Sequence, residues 1–150
     1  MIKIKEELLK KCKNFVESSM KTINDIISSN QKALQSETKS SAGDKHETGR
    51  AMLQLEMEKA SFQLSSVNQM KETLDKINFD TKFETVHLGS LVYTNQHNYF
   101  LAISVGRLII ADNEFFAISS SSPIGSILIG KKESDSFIFN NYKIEILAVH

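Results

Sequence analysis

From Lys3 to Gln35 the chain contains neither Gly nor Pro, and Val16, Met20, Ile23, Ile27 and Leu34 fall at spacings of 4, 3, 4 and 7. Asn30 stands where the alternation between Ile27 and Leu34 would be completed. Apolar residues at this spacing line one narrow stripe of an α-helix, so the stretch predicts a seam of coiled-coil type. Leu9 and Cys12 carry the seam toward the N-terminus with Leu8 and Phe15 beside it, and the wider stripe predicts that the base of the helix meets a second body. A helix of about 33 residues is about 50 Å long at 1.5 Å per residue. A second seam follows through Leu53, Met57, Ala60, Leu64, Val67, Leu74 and Ile77, with Met70 and Lys71 flanking its one missing position. The break between them, Ser36 to Arg50, is rich in small and hydroxyl residues that cannot sustain an apolar stripe. Two seams of matched length joined by a polar break predict an antiparallel helical hairpin over residues 1–77, with its tip at about 36–50.

The period changes after residues 78–82, which read as a linker. Val86, Leu88, Leu91 to Tyr93, Tyr99 to Ile103, Leu108 to Ile110 and Phe115 to Ile118 are short runs rich in aliphatic and aromatic residues. Gly89-Ser90, Asn95 to Asn98, Gly106-Arg107 and Asp112-Asn113 separate them, so they read as strands joined by turns. Ser119 to Ser122 lead into Pro123, a helix-start signal, and Gly130 would stop a short helix over Ile124 to Ile129. Phe137 to Phe139 and Tyr142 to Val149, joined at Asn140-Asn141, predict a closing hairpin. The fold class is therefore α+β: the helical hairpin, then a small antiparallel β-sheet domain with one short helix over residues 83–150.

Eighteen basic residues balance 18 acidic ones, which argues against direct grip on a nucleic-acid backbone. Cys12 is the single cysteine, so no disulfide can form within the chain and a reducing compartment is expected. The first residues mix charges of both signs without the apolar core of a signal peptide, and no run approaches the roughly 18 to 20 apolar residues of a membrane span. A cytoplasmic protein with no membrane partner is expected.

Asp44 and Glu47 stand where the second helix would begin. One reading makes them a capping box that satisfies the free N–H groups of the first turn. The other notes that residues i and i+3 on a helix point the same way, so that two hard oxygen ligands could share a Mg²⁺ with carboxylates from elsewhere. His46, between them, reads as an exposed histidine, since no second His or Cys lies near it. Cys12 reads as a small core residue, Lys131 and Lys132 as a solvated turn, and Phe100, Phe115, Phe116 and Phe137 as core.

Two stretches, in this order along the chain, resemble the bacterial Gre transcript-cleavage factors (GreA/GreB type). Ala42-Gly-Asp-Lys-His-Glu47 is similar to the Gly-Asp-x-x-Glu of the Gre tip. Ile118-Ser-Ser-Ser-Ser-Pro-Ile-Gly-Ser-Ile-Leu-Ile-Gly-Lys-Lys-Glu-Ser-Asp135 is similar to the family's Ser-Pro-Leu segment, which leads through a small helix ending in Leu-Gly-Lys to a Gly-Asp pair before the last strands. The resemblance covers essentially the full length and implies an FKBP-like sheet domain that docks on the rim of the RNA polymerase secondary channel through Ser121, Ser122, Pro123 and Ile124. It also implies that Asp44 and Glu47 are the two acids that share a Mg²⁺ with the polymerase and assist hydrolysis of backtracked RNA. Lys39, Lys45 and Arg50 are then candidates to touch the nascent RNA 3′ end. On this reading the chain is no enzyme alone, takes no small-molecule substrate and holds no cofactor tightly outside the polymerase complex. Ser40 and Ser41 stand where the family commonly has a basic residue, Thr48-Gly-Arg-Ala51 where it has Asn-Ala-Glu-Tyr, and Ser121 where it often has an acid. A noncleaving Gre-like regulator of the polymerase and a coiled-coil interaction adaptor are the alternatives.

Overall fold

Two long helices and six strands account for most of the chain. The computed structural model describes residues 1–39 and 44–150, and the side chains of residues 1–36 and 48–150. Helix α1 (Ile2–Lys39) has 38 residues and α2 (Asp44–Asp75) has 32. At 1.5 Å per residue they are about 57 and about 48 Å long, and Gly49 is the one helix-weakening residue within either. They form the expected hairpin. The chain divides into two compact units, Met1–Phe15 with Glu72–His150, and Val16–Lys71.

In the hairpin the deepest positions recur every seven residues: Val16, Ile23 and Asn30 on α1, Ala60, Val67 and Leu74 on α2. Met20, Ile27, Leu34, Leu53, Met57 and Leu64 are half-buried. A two-helix seam has no third element to cover its flanks, so only one position per heptad is sealed. Nearer the N-terminus Leu8 and Cys12 are wholly buried and Leu9 only partly, while Phe15, expected beside the seam, is exposed. Burial turns Cys12 into an inert thiol, its pKa pushed up to about 11 by loss of solvent around the thiolate.

The sheet comprises β1 (Leu91–Thr94), β2 (Asn98–Ala102), β3 (Gly106–Ile110), β4 (Asn113–Ser119), β5 (Ser136–Phe139) and β6 (Tyr142–Val149), ordered β3-β4-β2-β1-β6-β5. All neighbours are antiparallel except β2 and β4. The parallel pair, which the sequence did not signal, follows from the tight turn between β3 and β4: the reversal puts β3 at the edge and β4 beside β2, running in the same direction. That turn is Ala111-Asp112, one residue earlier than expected, both with positive φ (49° and 65°). Asn140-Asn141 makes the same type of turn between β5 and β6, at φ 50° and 68°.

Helix α3 (Pro123–Leu128) packs on one face of this sheet. Its Ile124 and Leu128 join Val86, Val92, Leu101, Ile144 and Ile146 in a buried cluster, edged by Phe116, Ile118 and Phe137. Full burial of such side chains is worth about 1.5–3 kcal/mol each relative to exposure. The alternating residues Leu91, Phe100, Phe115 and Ala117 point to the opposite face and are equally buried. Period-two patterning is therefore weak here, because both faces are apolar.

Candidate functional site

Two regions carry the residues singled out in the sequence. The first is the start of α2. The helix begins at Asp44, so Asp44 and Glu47 fall in one turn. The side chains of Asp44, Glu47, Lys39 and Lys45 lie outside the described residues, as does the choice between cap and ligand at this turn. Arg50, one turn further along, is exposed. On the face of α2 turned away from the seam, Met52, Leu55 and Phe62 are 62%, 65% and 81% exposed. Spacings of 3 and 7 outside the seam were the signal for this apolar face, which the sequence reading passed over.

The second region is the loop from the end of β4 into α3. Ser122 is the N-cap of α3, in extended conformation (φ −67°, ψ 157°), and Pro123 opens the helix where its missing N–H costs nothing. Ser122 Oγ accepts from Gly125 N at 3.1 Å and donates to the Ser119 carbonyl at 2.7 Å. Ser122 N donates to the same carbonyl at 3.2 Å. Ser119 Oγ and Ser121 Oγ are 3.2 Å apart, Ser119 N reaches Ser104 Oγ at 3.3 Å, and Ser126 Oγ donates to the Pro123 carbonyl at 3.0 Å. Gly125 completes the arrangement: a Cβ there would lie 2.0 Å from the Ser119 carbonyl oxygen and 2.7 Å from Ser122 Oγ. Only glycine lets the loop fold this closely onto the helix.

Of the four residues expected to meet a partner here, Ser121 and Pro123 are exposed, Ser122 is half-buried and committed to the cap, and Ile124 is 8% exposed within the core cluster. The hydroxyls bond to backbone and to one another, and among the described residues none bonds to a His or carboxylate that would activate it as a nucleophile. The loop is thus a pre-organised polar surface suited to recognition rather than to bond-making.

Lys131 and Lys132 follow α3 at the Gly130 stop, where φ is +83°. Lys131 Nζ lies 5.9 Å from the centre of the Phe137 ring, and Lys132 N is held by Asp135 Oδ2 at 2.9 Å. His87 Nδ1 lies 2.8 Å from Ser90 Oγ and 3.1 Å from the Thr85 carbonyl, with its ring centre 4.1 Å from that of Phe83. Among the described residues no group of three or more His, Cys, Asp or Glu could hold a metal ion. None of the described helices is long and apolar enough to cross a membrane.

No family model matches the chain, and neither does any curated protein. The solved structure of the transcription factor Gfh1 aligns with 91% of this chain and 92% of its own length, at 18% identity and a TM-score of 0.35. Likeness at that level carries no functional weight.

Proposed function

We propose that this chain is a Gre-type transcription elongation factor, which enters the secondary channel of RNA polymerase and stimulates the polymerase's own cleavage of backtracked RNA. One observation carries the reading: the second helix of a long hairpin opens at Asp44, which places Asp44 and Glu47 together in its first turn. Two carboxylates one turn apart are a suitable half-set of hard oxygen donors for Mg²⁺, and carboxylates of the polymerase would complete it. When bound, the ion supplies a more acidic water and offsets charge at the phosphodiester. Asp44 and Glu47 would orient that site, Lys39, Lys45 and Arg50 would meet the RNA, and the exposed Ser121 and Pro123 would meet the channel rim. Alone, the protein would cleave nothing, because two carboxylates leave most of an octahedral shell unfilled. The reducing cytoplasm in which transcription takes place agrees with a single, buried Cys12.

The test is RNA cleavage in a backtracked elongation complex, comparing the wild-type chain with the Asp44→Asn, Glu47→Gln double variant. Faster cleavage by wild type, lost in a variant that still binds, is the expected result. Tight binding without stimulation would replace the reading with a noncleaving regulator, as Ser40, Ser41 and Thr48 to Ala51 would permit. Absence of binding would leave an adaptor whose tip acids only cap α2.

A further inference from the structure

Lys5 is 8% exposed, yet among the described residues it makes no ion pair. Its Nζ lies 4.8 Å from the centre of the Phe79 ring, and burial holds its pKa below the usual lysine range. A cation–π contact offsets only part of the cost of taking an ammonium out of water. Lys5 lines a cavity of about 390 Å³, bounded also by Ile2, Phe79, Phe83, His87 and Val149. Met1, Lys82 and His150 also line it, and no Asp or Glu side chain does. Phe83 is 51% exposed at this site, its ring centre 4.1 Å from that of His87 and tilted by 52°.

We propose that this cavity binds a small organic anion with an aromatic body, an arylalkyl carboxylate in chemical class, whose carboxylate pairs with Lys5 Nζ while its ring packs among Ile2, Phe79 and Phe83. The volume lies within the range of small-molecule pockets, roughly 300–1,000 Å³, and its area is far below that of a protein interface. The lining also has the expected chemistry: apolar and aromatic walls with one buried cation to fix orientation. The anion supplies the partner that Lys5 lacks, in a setting of low dielectric where a charge-assisted hydrogen bond is strong. The cavity shares no lining residue with the helix start at Asp44 or with the Ser119–Pro123 loop.

The probe is sodium 3-phenylpropionate, added to the full ¹⁵N-labelled chain, with neutral 3-phenylpropionamide and sodium acetate as controls. The expected result is saturable amide shifts centred on Lys5, Phe79, Phe83 and His87, with affinity at least about tenfold above that of either control. Lys5→Met keeps the apolar stem, removes the charge and should abolish the preference for carboxylate over amide. Should that variant fail to fold, Phe83→Ala at the exposed rim must weaken binding without changing the spectrum elsewhere. Absence of saturable shifts, equal affinity for the amide, or binding that survives both substitutions would overturn the proposal.

Discussion

Gly125→Ala tests whether the Ser119–Pro123 loop is held as tightly as its geometry requires. Gly125 is buried in α3 and its φ is not left-handed, so alanine costs nothing in backbone conformation and should even favour the helix. The obstacle is space, since the new methyl would lie 2.0 Å from the Ser119 carbonyl oxygen, a backbone atom that no rotamer change can move. The loop must swing away, and with it go the Ser122 cap on Gly125 N and both bonds onto the Ser119 carbonyl. Loss of a serine cap costs about 1 kcal/mol. Overpacking of a close contact adds about 1–3 kcal/mol. The sum is about 2–4 kcal/mol, and at about 4 °C or more per kcal/mol for a domain of this size the melting transition should fall by at least about 8 °C. Thermal unfolding followed by near-ultraviolet circular dichroism of the tyrosine-bearing sheet is the assay. The exposed variant Ser120→Ala serves as the reference, with a change expected within about 0.5 kcal/mol. A Gly125→Ala protein that melts within 2 °C of wild type would refute the reasoning, because the loop would then be free to shift at no cost.

Ala111 occupies a left-handed position that costs an L-residue with a Cβ about 1–2 kcal/mol, so Ala111→Gly should raise stability by about 0.5–1 kcal/mol in urea unfolding once glycine's extra chain entropy is charged against it. Among the described residues Asn30 Nδ2 is buried with no hydrogen-bond partner, and Asn30→Leu should stabilise the hairpin by about 1–2 kcal/mol; multi-angle light scattering should then show whether the polar residue had kept the helices from pairing between chains. Cys12 has a folded pKa of about 11 against an ordinary 9.0, so the native state holds its proton longer than the unfolded chain. The stability it contributes is intact below pH 9 and lost between pH 9 and 11, with a drop on the order of 2 kcal/mol that Cys12→Ala should lack. Phe62→Ser should leave stability within about 0.5 kcal/mol of wild type, because the ring is 81% exposed, while weakening any partner that covers the outer face of α2.

The hairpin was legible because its signal is long. Val16, Ile23, Val67 and Leu74 lie on seams that run for more than 20 residues without a helix breaker, and no strand can use that period. The sheet was legible from its punctuation, with Asn140-Asn141 and Ser122-Pro123 each performing the local job that its residue type favours. Ala111-Asp112 was missed because alanine is a poor resident of a left-handed turn; strand pairing across Ile110 and Asn113 imposes it. The parallel β2–β4 pair was equally hidden, since strand order depends on contacts between residues distant in sequence. At the tip the types of Asp44 and Glu47 were visible at once, and so was the ambiguity, because a helix start uses the same acids for capping as for metal binding.

Lys5 and Asn30 show why buried polar groups are the hardest part of such a sequence to read. Both follow the helical period, three residues before Leu8 and seven after Ile23, and the period alone would bury them. Their chemistry would place them outside, and in a surface helix that is the usual outcome. Packing overrides chemistry at each, but with different remedies. Asn30 carries a neutral amide, whose Nδ2, without a partner among the described residues, costs about 1–3 kcal/mol and still leaves a stable seam. Lys5 carries a charge, for which the same neglect would cost more, and among the described residues it meets an aromatic face and an open cavity rather than an Asp or Glu. An apolar residue would fill either position at lower cost, so what keeps them polar has to be sought outside folding, at Asn30 in the pairing of helices and at Lys5 in the anion that its cavity admits.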